Sequence, residues 1–152
     1  MSKLYVDEIQ PKTTGGVITF QPNRPAFMAR RTSNQSSGIV IFDTAMINKG
    51  SHYNTSDGKF TAPIDGLYSF SSVILSNKDG TDGYFTLAIY VNGASYAQMQ
   101  GYSYVDNDFS SSITVIADLS ANDYVQAHFT EPLYATSAST SNFTHFSGYL
   151  IG

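Results

Sequence analysis

Lys59-Phe60-Thr61-Ala62-Pro63-Ile64-Asp65-Gly66-Leu67-Tyr68-Ser69-Phe70-Ser71-Ser72-Val73-Ile74-Leu75 joins a stiff turn to the longest apolar-aromatic run in the sequence. Pro63 fixes its own φ, and Gly66 tolerates the positive φ that a tight turn asks for, so Pro63-Ile64-Asp65-Gly66 reads as a corner. Leu67 to Leu75 reads as the strand that leaves it. One face carries Leu67, Val73 and Leu75 around Ser69 and Ser71; the other carries Tyr68, Phe70 and Ile74. A strand with one wet face needs apolar residues on one side only, so this strand is expected to be covered on both.

Short strands and turns continue outward from it in both directions. Upstream lie Ala26 to Arg30, Ile39 to Phe42 and Met46 to Gly50, with Asp57-Gly58 as a hairpin signal before Lys59. Downstream, Phe85, Leu87, Ile89 and Val91 alternate with Tyr84, Thr86, Ala88 and Tyr90, the period of two of a strand with one face in a core. Asn92-Gly93 is the strongest hairpin dipeptide. Tyr96, Gln98, Gln100, Tyr102 and Tyr104 then share one face of a weakly covered edge strand, opposite Ala97, Met99, Gly101, Ser103 and Val105. Ile113, Val115, Ala117 and Leu119 alternate, Ser120 to Asp123 turns, Val125, Ala127 and Phe129 follow, and Phe143 to Ile151 ends the chain as a strand. About ten strands, even turn spacing and no helical period describe an all-β sandwich or jelly roll.

The 152 residues suffice for one domain and one core. Two parts are expected: an N-terminal arm over residues 1–24 and a globular head over residues 25–152. The arm has Leu4, Val6 and Ile9 in a polar setting, then the breaker-rich Gln10 to Gly16. It is too short for a core and reads either as a disordered tail or as a segment that docks on a partner through those three apolar residues. A net charge of −4, with Arg24, Arg30 and Arg31 as the only basic cluster, argues against nucleic acid as a partner. The absence of cysteine excludes disulfides, a thiolate nucleophile and Cys-ligated zinc. No window approaches the roughly 18 apolar residues of a membrane helix, and Met1 to Glu8 lacks the apolar core of a signal peptide. The expectation is therefore synthesis in a cytosol without membrane insertion.

From Pro25 onward the order of motifs resembles the globular C1q-like domain of the C1q/tumour-necrosis-factor superfamily. It is carried by Pro25-Ala26-Phe27-Met28-Ala29, Val40-Ile41-Phe42-Asp43, Ile47-Asn48-Lys49-Gly50, Gly58 to Ser71, Val91-Asn92-Gly93, Leu119 to Val125 and Phe146-Ser147-Gly148-Tyr149-Leu150. The resemblance implies a ten-stranded jelly-roll sandwich that assembles as a homotrimer. Tyr68, Phe70 and Ile74, with Phe143, His145 and Tyr149, are the residues expected at the trimer interface. Asn122-Asp123 stands where the family usually has Gly-Asp, and Asn tolerates the left-handed position nearly as well. Lys3-Leu4-Tyr5-Val6-Asp7-Glu8-Ile9-Gln10-Pro11-Lys12 is similar to segments near the start of phage tail-fibre and other virion proteins.

Candidate chemistry is sparse. His52, His128 and His145 have no metal or catalytic spacing, and no Gly-x-Ser-x-Gly elbow is present, so an enzyme is not expected. Asp79 with Asp82, and Asp106 with Asp108, offer hard oxygen ligands that suit calcium, or else are solvated turn aspartates. Tyr90, Tyr96, Tyr102 and Tyr104 with Gln98 and Gln100 form the sharpest candidate binding set, since tyrosine stacks on sugars or anchors a protein partner; plain cross-strand tyrosine pairing is the other reading. Two functions follow. The first is a phage virion structural protein whose arm docks on other virion proteins. Its trimeric head serves host-surface attachment through glycan or protein, or capsid decoration, exposed on the particle. The second is a secreted C1q-like recognition or signalling module for protein or glycan ligands.

Overall fold

The computed structural model describes residues 24–77, 82–104, 108–133 and 143–152. Leu4, Val6 and Ile9 of the arm, together with Asp79 and Asp106, lie outside these residues. Eleven strands are found among them and no helix: β1 (Ala26–Arg30), β2 (Gly38–Ile39), β3 (Thr44–Lys49), β4 (Tyr53–Asn54), β5 (Lys59–Thr61), β6 (Gly66–Asn77), β7 (Gly83–Val91), β8 (Ala94–Ser103), β9 (Asp108–Leu119), β10 (Tyr124–Phe129) and β11 (His145–Leu150). They form two antiparallel sheets, ordered β3-β1-β11-β6-β9 and β4-β5-β10-β7-β8, with the two-residue β2 beside the far end of β10. This is the all-β jelly-roll sandwich the sequence predicts, but the strand expected over Ile39 to Phe42 is reduced to the two-residue β2; Val40 and Phe42 are buried outside any strand.

The turns form where the sequence places them. Asn92 and Gly93 both take positive φ, 52° and 81°, in the two-residue connection between β7 and β8. Asn122 sits at φ 76°, the left-handed position expected of it. The corner before β6 is pinned from two sides. The Tyr68 hydroxyl donates to the Ile64 carbonyl oxygen at 2.8 Å, and the Ala121 amide donates to Asp65 Oδ1 at 2.7 Å.

The core lies between the sheets and holds an aromatic cluster at each end. Phe27 stacks on Tyr53 at 4.6 Å and meets Phe146 edge-on at 4.9 Å, with Phe60, Phe70 and Tyr68 packed around them. Gly148 makes room for this cluster: a Cβ there would stand 2.5 Å from Phe70 Cδ1 and 2.7 Å from Phe27 Cε1. At the other end Phe85 stacks on Phe109 at 4.3 Å, under Gly101, where a Cβ would collide with the Phe85 ring.

Three of the residues expected at the trimer interface lie elsewhere. Tyr68, Phe70 and Ile74 are wholly buried inside a single chain, so they cannot form a surface for neighbouring subunits. Both faces of β6 carry apolar residues, and the bulkier set faces the opposing sheet, where large side chains fill the core. The face turned outward is Leu67, Ser69, Ser71, Val73 and Leu75, none of them fully buried. Phe143, His145 and Tyr149 do lie outward: the first and third are exposed and His145 is half-buried.

Candidate functional site

The two sheets present outer faces of different chemistry. On the five-stranded sheet, the pairing aligns Ala26, Tyr149, Ser69 and Ile116 in one row across β1, β11, β6 and β9. A second row aligns Ile47, Met28, Ser147, Ser71 and Thr114. The middle of this face is a floor of small hydroxyl residues, with Thr114 Oγ1 donating to Ser71 Oγ at 3.0 Å. Large apolar side chains stand around it: Ile47, Leu67, Ile116, Tyr149 and Ile151 are all exposed. They are spread from the edge strand β3 to the edge strand β9, on a face that has no covering element among the described residues. Of the residues expected at a subunit interface from sequence, Tyr149 is on this face, together with Leu67, Ile116, Met28 and Ile47, which the sequence reading did not single out. Strand parity would have found Leu67, because placing Tyr68 inward turns Leu67 outward.

On the six-stranded sheet, β7 and β8 pair with a shift between Ile89 and Tyr90: Tyr90 faces Ser95, but Ile89 faces Ala97. Tyr96 is the extra residue of this bulge, and a bulge re-aims the side chain it carries. The Tyr96 hydroxyl reaches away from the sheet face and donates to the Ile116 carbonyl oxygen on the edge strand of the other sheet, at 3.0 Å. Tyr96 is thereby withdrawn from the binding set expected of it. Gln98, Gln100 and Tyr102 do share the outer face, opposite Ala88, Thr86 and Tyr84. Tyr84 joins the set that sequence reasoning named. Its ring lies 5.1 Å from Tyr102, and Tyr102 lies 5.5 Å from Tyr104, both edge to face. The three are 68%, 49% and 63% exposed, so they pair with each other without being covered.

The opposite end of this face is tied down. Gln126 is buried and its Nε2 donates to the Asp57 carbonyl oxygen at 2.8 Å, while the Lys59 ammonium sits 4.5 Å over the Tyr124 ring. Tyr90 is half-buried and stacked on His128 at 4.9 Å and 11°. Burial holds His128 below its usual titration range, which keeps the imidazole neutral at neutral pH. Structural contacts therefore occupy Tyr90, His128, Tyr124 and Gln126, and the open part of the face is Tyr84, Tyr102, Tyr104, Gln98 and Gln100.

The remaining candidates do not converge. Asp82 and Asp108 are exposed, and no group of three or more His, Asp or Glu residues that could hold a metal is assembled among the described residues. His52 lies in the turn after β3, His128 on the outer face of one sheet and His145 on that of the other.

A model of the C1q domain matches residues 26–151. Complement C1q tumor necrosis factor-related protein 3 of Homo sapiens is 29% identical over 126 residues, covering 83% of this chain and 49% of the relative. The protein of the same name from Mus musculus gives the same figures. The chain thus spans about half the length of the curated relatives it matches. Among solved structures, the globular domain of zebrafish complement 1qA protein is similar with a TM-score of 0.68 at 17% identity, covering 84% of this chain and 98% of that one. That likeness speaks to the fold.

Proposed function

This chain belongs to the C1q domain family, whose members are non-enzymatic recognition and signalling modules, and we propose that it is a recognition module working as a homotrimer. Three copies meet through the outer face of the five-stranded sheet and turn the outer face of the six-stranded sheet toward protein or glycan ligands. One observation carries this reading: Leu67, Ile116 and Tyr149, with Ile47 and Ile151, stand exposed together on one sheet face of a single chain. Covering them removes apolar surface from water at about 25 cal/mol per Å². The small residues Ser69, Ser71 and Ser147 between them leave the floor flat enough for a neighbour to approach. Three linked ligand faces then add avidity that one face lacks.

The family match begins at residue 26 and bears on the head. The virion role expected from Lys3 to Lys12 rests on the arm alone, so we put recognition by the head first.

The absence of cysteine provides a clean test. Ser112→Cys on the outer face of β9 and Gln98→Cys on the outer face of β8 each introduce a single thiol at a position exposed in one chain. Maleimide labelling should be fast at position 98 and strongly slowed at position 112. Equal rates at both would overturn the assembly.

A further inference from the structure

The strands β10, β7 and β8 are neighbours and contain no Asp, Glu, Lys or Arg. Their outer face is built from tyrosine rings, amides, small hydroxyl residues and one neutral imidazole. Resting on the recognition reading above, we infer that the open end of this face, Tyr84, Tyr102 and Tyr104 with Gln98 and Gln100, is a binding site for a neutral oligosaccharide.

Three features select that occupant. The exposed rings offer flat apolar surface on which the C–H face of a sugar packs, and each phenol adds a polar tip. Gln98 and Gln100 each bring both a donor and an acceptor to the same face, which matches sugar hydroxyls that both give and accept hydrogen bonds. No Lys or Arg stands on the three strands, so an acidic sugar meets no counter-charge on them. Tyrosine alone would suit a protein partner equally well. Protein interfaces, however, also draw on Met and Arg, which this end lacks among the described residues: Met99, opposite Leu87, packs against the core, whereas Met28, Ile47, Leu67 and Ile116 lie on the other sheet. The division of the two faces assigns the aliphatic one to copies of this chain and the aromatic-amide one to the ligand.

The test is an array of immobilised neutral oligosaccharides built from glucose, galactose, mannose and N-acetylglucosamine, beside sialylated and sulfated ones and a non-glycosylated protein. The native chain should bind one or more neutral sugars. Tyr102→Ala should weaken that binding about tenfold or more, Tyr84→Ala should weaken it too, and Tyr102→Phe should keep most of it. Gln98→Cys provides a second block independent of the tyrosines: the unlabelled variant, having lost the Gln98 amide, should bind more weakly than the native chain but measurably, and binding should disappear once a bulky maleimide is attached. Preference for acidic sugars or for protein, or neutral-sugar binding unchanged by the alanine variants and by the adduct, would overturn the assignment. A protein that labels at position 98 and not at 112, yet ignores every neutral sugar, refutes the oligosaccharide and leaves the trimeric module standing.

Discussion

Tyr96 bridges the two sheets at their shared edge: it belongs to β8, and its hydroxyl donates to the carbonyl oxygen of Ile116 on β9 at 3.0 Å. The bond closes the sandwich on the side where the edge strands of both sheets end the ladders. Tyr96→Phe keeps the ring and removes the bond, and should cost about 0.5–1.5 kcal/mol in urea unfolding. Amide hydrogen exchange should quicken at β8 and β9 before it changes at β6. An unchanged midpoint and unchanged edge exchange would show that the bridge carries no stability.

Gly148 is the one position of β11 where the aromatic core leaves no space for a methyl group, with Phe70 Cδ1 at 2.5 Å and Phe27 Cε1 at 2.7 Å from a built Cβ. Gly148→Ala should therefore destabilise by about 1–3 kcal/mol through overpacking. Phe70→Ala in the same cluster should cost about 3–5 kcal/mol by leaving a cavity. Leu67→Ala, one strand face away, should leave single-chain unfolding almost unchanged and weaken assembly instead. Chemical denaturation of dilute protein separates the three.

The Asn92 side chain ties two turns together. Its Nδ2 donates to Asp123 Oδ1 at 2.8 Å, and its Oδ1 accepts from the Tyr124 amide at 3.0 Å. That bond, followed by one from the Ser120 amide, holds the Asp123 carboxyl below the usual carboxylate range. Asn92 also sits at φ 52°. Asn92→Ala loses both bonds and strains the turn, for a cost of about 1–3 kcal/mol, whereas Asn92→Gly loses the bonds but fits the backbone and should cost less. Equal losses from the two substitutions would show that the positive φ at position 92 costs alanine nothing.

His128 gives the head a mild acid sensitivity. Burial lowers its affinity for a proton in the folded chain, so the unfolded chain binds more protons once the pH falls toward 6.5, the usual value. The contribution of His128 is thus complete above that pH and declines as the pH drops through the folded value. His128→Gln should flatten the difference in melting temperature between pH 8 and pH 5 relative to the native chain. A steeper dependence in the variant would reverse the sign assigned to this residue.

Much of the fold is legible in the sequence because turn chemistry and strand parity are local. Asn92-Gly93, the corner at Pro63 and the alternation of Phe85, Leu87, Ile89 and Val91 each translate directly into the structure. Face assignment in β6 does not, since Tyr68, Phe70 and Ile74 and the opposing Leu67, Val73 and Leu75 are both apolar, and only the second sheet decides which set it covers. The binding face is half-legible for a related reason. A two-residue turn alone would set Tyr84 opposite Gly101; the bulge at Tyr96 shifts it by one to face Tyr102, and no dipeptide signals that bulge.

The proposed trimer buries the exposed apolar face of the five-stranded sheet between three copies. Light scattering on the eluting native protein, with Ile116→Asp and Tyr149→Asp alongside and Tyr102→Ala as the control on the other face, measures it directly. The native chain and the control should each give three times the 16.5 kDa chain mass, and the two aspartate variants should give one chain mass with the β-sheet spectrum retained. A native monomer, or a trimer that both aspartate variants leave intact, would contradict it.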